Sequence, residues 1–139
     1  MTNNDRAYEL SRAYPVSQDA LFNSLIDADV LKCIWGLSGI TVNARPNGQA
    51  QAKLTIDDES WDFVITYREV IPSEKLQWIV HFDRFPAKET RATLLFKQAP
   101  GGAEVTVAMS NFETMQERDA NKAAWERALT KLAGLLGRS

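Results

Sequence analysis

The stretches "WDFVITYREV" and "KLQWIVHF" limit the fold more than anything else in the chain, because each sorts its large residues onto one side. Successive side chains of an extended strand point to opposite faces. Trp61, Phe63, Ile65 and Tyr67 therefore share a face, as do Leu76, Trp78, Val80 and Phe82. The other parity carries Asp62, Thr66 and Arg68, and Lys75, Gln77 and His81, the usual dress of a solvated antiparallel surface. A sheet with one aromatic face needs a cover, and the sequence has to supply it.

The stretch "NKAAWERALTKLAGLLG", residues 121 to 137, is that cover. Thr114 and Glu117 have capping-box spacing. A helix from about Met115 to Leu136 would be about 33 Å long and would span a sheet. With about 100° of turn per residue, Ala128, Leu129, Leu132 and Leu136 fall beside Trp125, so Trp125 is expected to face the sheet. A turn or two earlier the same face holds Arg118, Asn121 and Lys122, which makes half of the cover polar.

The remaining elements follow from local signals. "RAYELSRAY" alternates as a half-buried strand. Pro15 ends it, Ser17 can cap a short helix with Val16 and Leu21 as its staple, and Asp27 can cap a second one ending at Gly36. Six strands are expected from Ile40 to Ser110. Their turns are placed at Pro46-Asn47-Gly48, Asp57-Asp58-Glu59-Ser60, Pro72-Ser73-Glu74, Phe85-Pro86-Ala87 and Pro100-Gly101-Gly102. No repeat or linker interrupts this order, so residues 1 to 139 are read as one α+β domain.

Composition removes several function classes. A net charge of -2 gives no general attraction to nucleic acid or anionic membranes. No apolar run approaches a membrane span, and the polar start "MTNNDRAYEL" lacks a secretory core, so a cytoplasmic location is expected. Cys33 is the single cysteine, which excludes an internal disulfide, and its apolar neighbours suggest a small buried hydrophobe. His81 is the single histidine and its parity puts it on the solvated face, away from any metal site or triad. Asp57-Asp58-Glu59 is too compact for a calcium loop. The glycine pairs lack the strand-to-helix setting of phosphate loops. Neither metal nor cofactor is expected.

Taken together, the order of strand, two short helices, meander and long helix resembles the helix-grip fold of START-like, pollen-allergen-like and polyketide-cyclase proteins, the SRPBCC superfamily. Within it the chain resembles the heat-shock-protein-90 ATPase activator homologues (AHSA-type). "AYPVSQDALFNSLIDADVLKCIWG", "YREVIPSEKLQW" and "AAWERALTKLAGLL" are similar to that family's opening, its strand-Pro-strand hairpin and its tryptophan-bearing helix. The chain departs at Ile34, at Met109 to Phe112 and at Ala124, where the family commonly has tryptophan, His-Ser-Gly-Phe and glycine.

The resemblance implies an elongated cavity between sheet and helix, for which Trp35, Trp61, Phe63, Tyr67, Trp78, Val80, Phe82, Arg118, Asn121 and Trp125 are the lining candidates. A small hydrophobic or amphipathic molecule is the expected partner, its polar head near Arg118 and Asn121. Two alternatives stand beside this one. The first is a cyclase-like enzyme using Tyr67, Arg68 or Arg118 to polarise a carbonyl, and the second, implied by the family name, is chaperone co-regulation.

Overall fold

The computed structural model describes residues 7–56, 58–82 and 85–136, with the backbone alone at residue 56 and at 85–88. In chain order the elements are β1 (Tyr8–Tyr14), α1 (Gln18–Ser24), α2 (Ala28–Trp35), β2 (Gly39–Val42), β3 (Gln49–Ile56), β4 (Glu59–Ile71), β5 (Lys75–Phe82), β6 (Phe85–Ala99), β7 (Gly102–Ser110) and α3 (Met115–Leu136). The strands form one antiparallel sheet in the order β1-β7-β6-β5-β4-β3-β2, so the first strand returns to pair with the last. This is an α+β helix-grip arrangement.

Each helix starts where its cap permits. Ser17 Oγ accepts the Ala20 N–H at 3.1 Å, and Asp27 accepts those of Asp29 and Val30 at 2.8 and 3.1 Å. These bonds satisfy donors that the first turn leaves open. α2 stops at Gly36, whose φ of 65° is left-handed and carries no Cβ penalty. At α3, Thr114 Oγ1 accepts the Glu117 N–H at 3.1 Å while the Glu117 carboxylate accepts the Glu113 N–H at 3.3 Å. The reciprocal arm of the box thus lands one residue before Thr114.

The inner face of the sheet is built in rows. Tyr67, Trp78, Ala92, Met109 and Tyr8 stand side by side across five strands, and Val70, Leu76, Leu94, Val107 and Leu10 form the next row. Keeping these rows together requires an irregularity in β4. Strict alternation from Trp61 would turn Glu69 inward and Val70 out. A bulge at Arg68 shifts the register between Tyr67 and Glu69, so that Val70 meets Leu76 on the core side.

α3 lies over this face, with Trp125, Ala128, Leu129 and Leu132 buried. Burying each leucine contributes roughly 1.5–3 kcal/mol. Polar contacts fix the helix to the edge strand β1. The Tyr14 hydroxyl donates to the Leu129 carbonyl at 2.9 Å, Arg12 donates to Thr130 Oγ1 at 3.2 Å, and the Tyr8 hydroxyl donates to Asn121 Oδ1. α2 packs against α3 from the other side.

Three sequence expectations change. The Phe85-Pro86-Ala87 turn is not one: Phe85 already pairs with Phe82, so Pro86 and Ala87 belong to β6, and the connection falls at residues 83 and 84, outside the described residues. The acidic turn is shorter than expected because β4 begins at Glu59; Asp58 takes a φ of 67°, while Asp57 lies outside the described residues. Cys33 is exposed, because the buried stripe of α2 runs through Leu31 and Ile34 and leaves Lys32 and Cys33 on the outer arc.

Candidate functional site

The aromatic residues gather where α2, α3 and the middle of the sheet meet. Trp125 is 4% exposed and sits edge-on to Trp35, with ring centroids 4.8 Å apart and planes at 89°. On its other side Trp125 stacks toward Trp78 at 6.5 Å, and Trp78 meets Tyr67 edge-on at 5.9 Å. Trp35, Tyr67, Trp78 and Trp125 are therefore one connected cluster. Ala92, fully buried between Trp78 and Met109, leaves the indole room to lie across its row.

Past this cluster the packing thins. Tyr67 is 2% exposed, but Ile65 and its neighbour Val80, then Phe63 and its neighbour Phe82, and finally Trp61 are only half-buried. Phe63 and Phe82 contact each other at 5.1 Å. Facing them across β3 are Ala50 and Ala52, opposite Ile65 and Phe63, which place almost no side chain in the space above the strand. The alternation "QAQAKLTI" announces these alanines, but in sequence such small residues look like filler and were not among the expected lining.

The polar candidates lie at the N-terminal half of α3, each with a contact. Asn121 accepts the Tyr8 hydroxyl, and Tyr8 stacks on Phe112 at 5.9 Å with planes 13° apart. Burial and the nearby Glu126 push the Tyr8 hydroxyl well above its ordinary range, so it remains a donor. Arg118 keeps 20% of its side chain exposed and donates to Asp119 at 2.8 and 3.0 Å. Arg68, by contrast, stands on the outer face at the bulge, on the far side of the sheet from these residues.

The chemistry available here is limited. Burial pushes the Tyr67 phenol up to about 12, which makes it a poor proton donor near neutral pH. His81 lies on the outer face, 3.5 Å from Glu89. Among the described residues no group of three His, Cys, Asp or Glu side chains is placed to hold a metal ion. Two surface depressions open on the outer side of the sheet. One of about 580 Å³ runs along Thr41, Gln51, Lys53, Asp62 and Val64; the other, of about 320 Å³, is ringed by Arg68, Gln77, Ile79, Glu89 and Arg91.

With this geometry the family comparison becomes decisive. Residues 15–137 match the model of the "Activator of Hsp90 ATPase homolog 1-like protein" family. The chain belongs to that family. Its solved structural relatives include a Chromobacterium violaceum protein, with a TM-score of 0.81 and 17% identity over 93% of this chain and 96% of that one. A Rhodobacter sphaeroides protein aligns with a TM-score of 0.80 and 18% identity over 98% and 95%. The allergen-type protein Ara h 8.0201 aligns at 0.76 and 13% over 94% and 96%. At such identities the likeness is one of fold, and it joins the Hsp90-activator-like family to the pollen-allergen-like proteins in a single helix-grip architecture. No curated protein matches the sequence. No helix among the described residues is long and apolar enough to cross a membrane.

Proposed function

We propose that this Hsp90-activator-like domain binds a small hydrophobic or amphipathic molecule against the inner face of the sheet, beside the N-terminal half of α3. One observation carries the reading: the inner face passes from a sealed cluster at Tyr67, Trp78 and Trp125 to half-buried Ile65, Val80, Phe63, Phe82 and Trp61. Half-exposed aromatic residues grouped on one face leave apolar surface that a ligand can cover. Trp125 is the floor of the site and Trp35 its side wall. Asn121 and Arg118 stand near the mouth, where a polar head would meet donors and acceptors while the apolar body lies over Phe63 and Phe82.

The single sheet that every helix packs on supports reading the whole chain as one domain, and a lone unpaired cysteine suits a cytoplasmic location. A carbonyl-polarising enzyme draws less support, since Arg68 stands on the outer face and the raised Tyr67 phenol is a weak general acid near neutral pH. The family description names a chaperone activator. Action on a chaperone would favour a contiguous apolar surface, whereas the exposed Ile71 and Leu95 are separated by Lys75 on the outer face, and Met115 and Leu135 stand near opposite ends of α3.

Native mass spectrometry of the protein purified from its own host tests the proposal by looking for a retained small molecule. In parallel, a naphthalene sulfonate or fatty-acid probe should bind saturably and more weakly to Trp125→Phe and Phe63→Ala. Arg118→Ala should weaken an anionic probe more than a neutral one. No retained molecule together with no saturable probe binding would overturn it.

A further inference from the structure

On the outer face, Ile79 breaks the polar pattern. Its register partners Thr66 and Arg91 are outward-facing, yet Ile79 is only 7% exposed. The stems of arginines can cover apolar surface while their guanidinium groups stay in water. Arg68 and Arg91 flank Ile79 in a depression of about 320 Å³ that also includes Gln77 and Glu89. Arg68 lies on β4 and Arg91 on β6, two strand spacings or about 10 Å apart, which allows both guanidinium groups to reach one small ligand.

The charges of this depression do not cancel. Among the described residues none pairs with Arg68, and the nearby Glu69 is taken by Lys75 at 2.5 Å. Among the described residues Arg91 contacts Glu89 at 3.4 Å, and Glu89 also faces His81 at 3.5 Å. Among the described residues this depression holds two arginines and one carboxylate, an excess of positive charge although the chain as a whole carries -2. Gln77 is held in place by its bond to Thr93 at 3.1 Å.

We infer that the outer face carries a ligand site, distinct from the site proposed on the inner face, for a small organic monocarboxylate with a compact apolar body. The carboxylate fits the planar fork of Arg68, with Arg91 as the second cation. The apolar body rests on Ile79. Glu89 at the rim selects against a dianion, because it would stand close to the second negative charge. The bulge that keeps Val70 in the core is also what sets Arg68 over this depression, and bulges commonly re-aim a side chain beside a site.

The test uses the full chain and benzoate as the probe, followed by backbone amide shifts. Benzoate should bind saturably, with shifts centred on Arg68, Gln77, Ile79 and Arg91. Benzamide, the neutral counterpart, should not bind in the same range, and acetate, which lacks the ring, should bind more weakly. Arg68→Gln should weaken benzoate about tenfold or more, as expected for loss of a charge-assisted bond. Trp125→Phe should leave it unchanged, which separates this site from the one proposed on the inner face. Arg68 is exposed, so its variant should keep the wild-type circular dichroism. Shifts centred on Phe63 and Phe82, an unaltered affinity in Arg68→Gln, or no saturation at millimolar benzoate would each refute the site, and none of these results depends on whether the inner face binds its own ligand.

Discussion

Trp35 and Trp125 meet edge to face at 4.8 Å, joining the end of α2 to the middle of α3. Such a pair contributes about 0.5–1.5 kcal/mol beyond the area it buries. Trp125→Ala should therefore cost about 3–5 kcal/mol, whereas Trp125→Phe retains a ring against Trp78 and should remain folded. Close indoles also couple their transitions. A near-ultraviolet dichroism feature from the pair should disappear in either Trp35→Phe or Trp125→Phe, and its persistence in both would mean that the two rings do not touch in solution.

Leu129 and Leu132 close the other half of the helix, at 1% and 0% exposure. Replacing either with alanine leaves a cavity under a rigid helix, and should cost about 2–5 kcal/mol in chemical denaturation. Leu135 on the same helix is 49% exposed, and Leu135→Ala should change stability by less than about 0.5 kcal/mol. Equal losses at all three positions would show that α3 is not seated on this face.

The three tyrosines of the chain lead to a prediction about alkaline pH. Burial raises Tyr14 from an ordinary value of 10.0 to about 12, against a smaller lowering by Arg12, and burial raises Tyr67 to about 12. Tyr8 is raised as well. A raised value means that the folded state holds the proton more tightly. The stabilisation is fully present below pH 10, and is lost as pH climbs through about 12. Phenolate absorbance should stay flat at pH 10 and then rise together with unfolding. A tyrosine that ionises near pH 10 in the intact fold would contradict the burial of all three.

The elements were readable in the sequence because each carried a local cause: caps at Ser17, Asp27 and Thr114, a stop at Gly36, and period-two aromatics in β4 and β5. Trp125 was placed correctly since helical periodicity needs no knowledge of what lies opposite. Pro86 was misleading. Proline suggested a turn, but β6 starts at Phe85 and accommodates Pro86 where the ladder is already irregular between Val80 and Phe82. Cys33 misled for another reason, because flanking residues in sequence are not neighbours on a helix.

The site was less legible than the fold. Parity put Trp61, Phe63, Tyr67, Trp78 and Phe82 on one face, yet the contribution of Ala50, Ala52 and Ala92 comes from what they leave empty, and register alone decides which aromatic each one faces. The Arg68 bulge is also silent in sequence, since "TYREV" reads as plain alternation. Only pairing with β5 shows that Glu69 and Val70 have exchanged faces. The cluster of Arg68, Ile79 and Arg91 joins three strands, a relation no single stretch of sequence contains.

Gly102 tests the tie between β1 and α3, with Gly134 as its control. At Gly102 an added Cβ would lie 1.9 Å from the Tyr14 carbonyl oxygen and 2.9 Å from its carbon. Both are backbone atoms, so the end of β1 must move, and with it the Tyr14 hydroxyl that donates to Leu129 at 2.9 Å. Gly102→Ala should cost about 1–3 kcal/mol by overpacking. It should also bring the Tyr14 phenolate titration below its wild-type position as the ring gains solvent. Gly134 is the opposite case: it sits in α3 with nothing within 4 Å of where an added methyl would stand, and alanine there should stabilise by about 0.5–1 kcal/mol through backbone entropy alone. Thermal denaturation of the two variants separates the effects. If Gly102→Ala proves neutral, β1 is not held as closely over the β7 turn as this geometry requires.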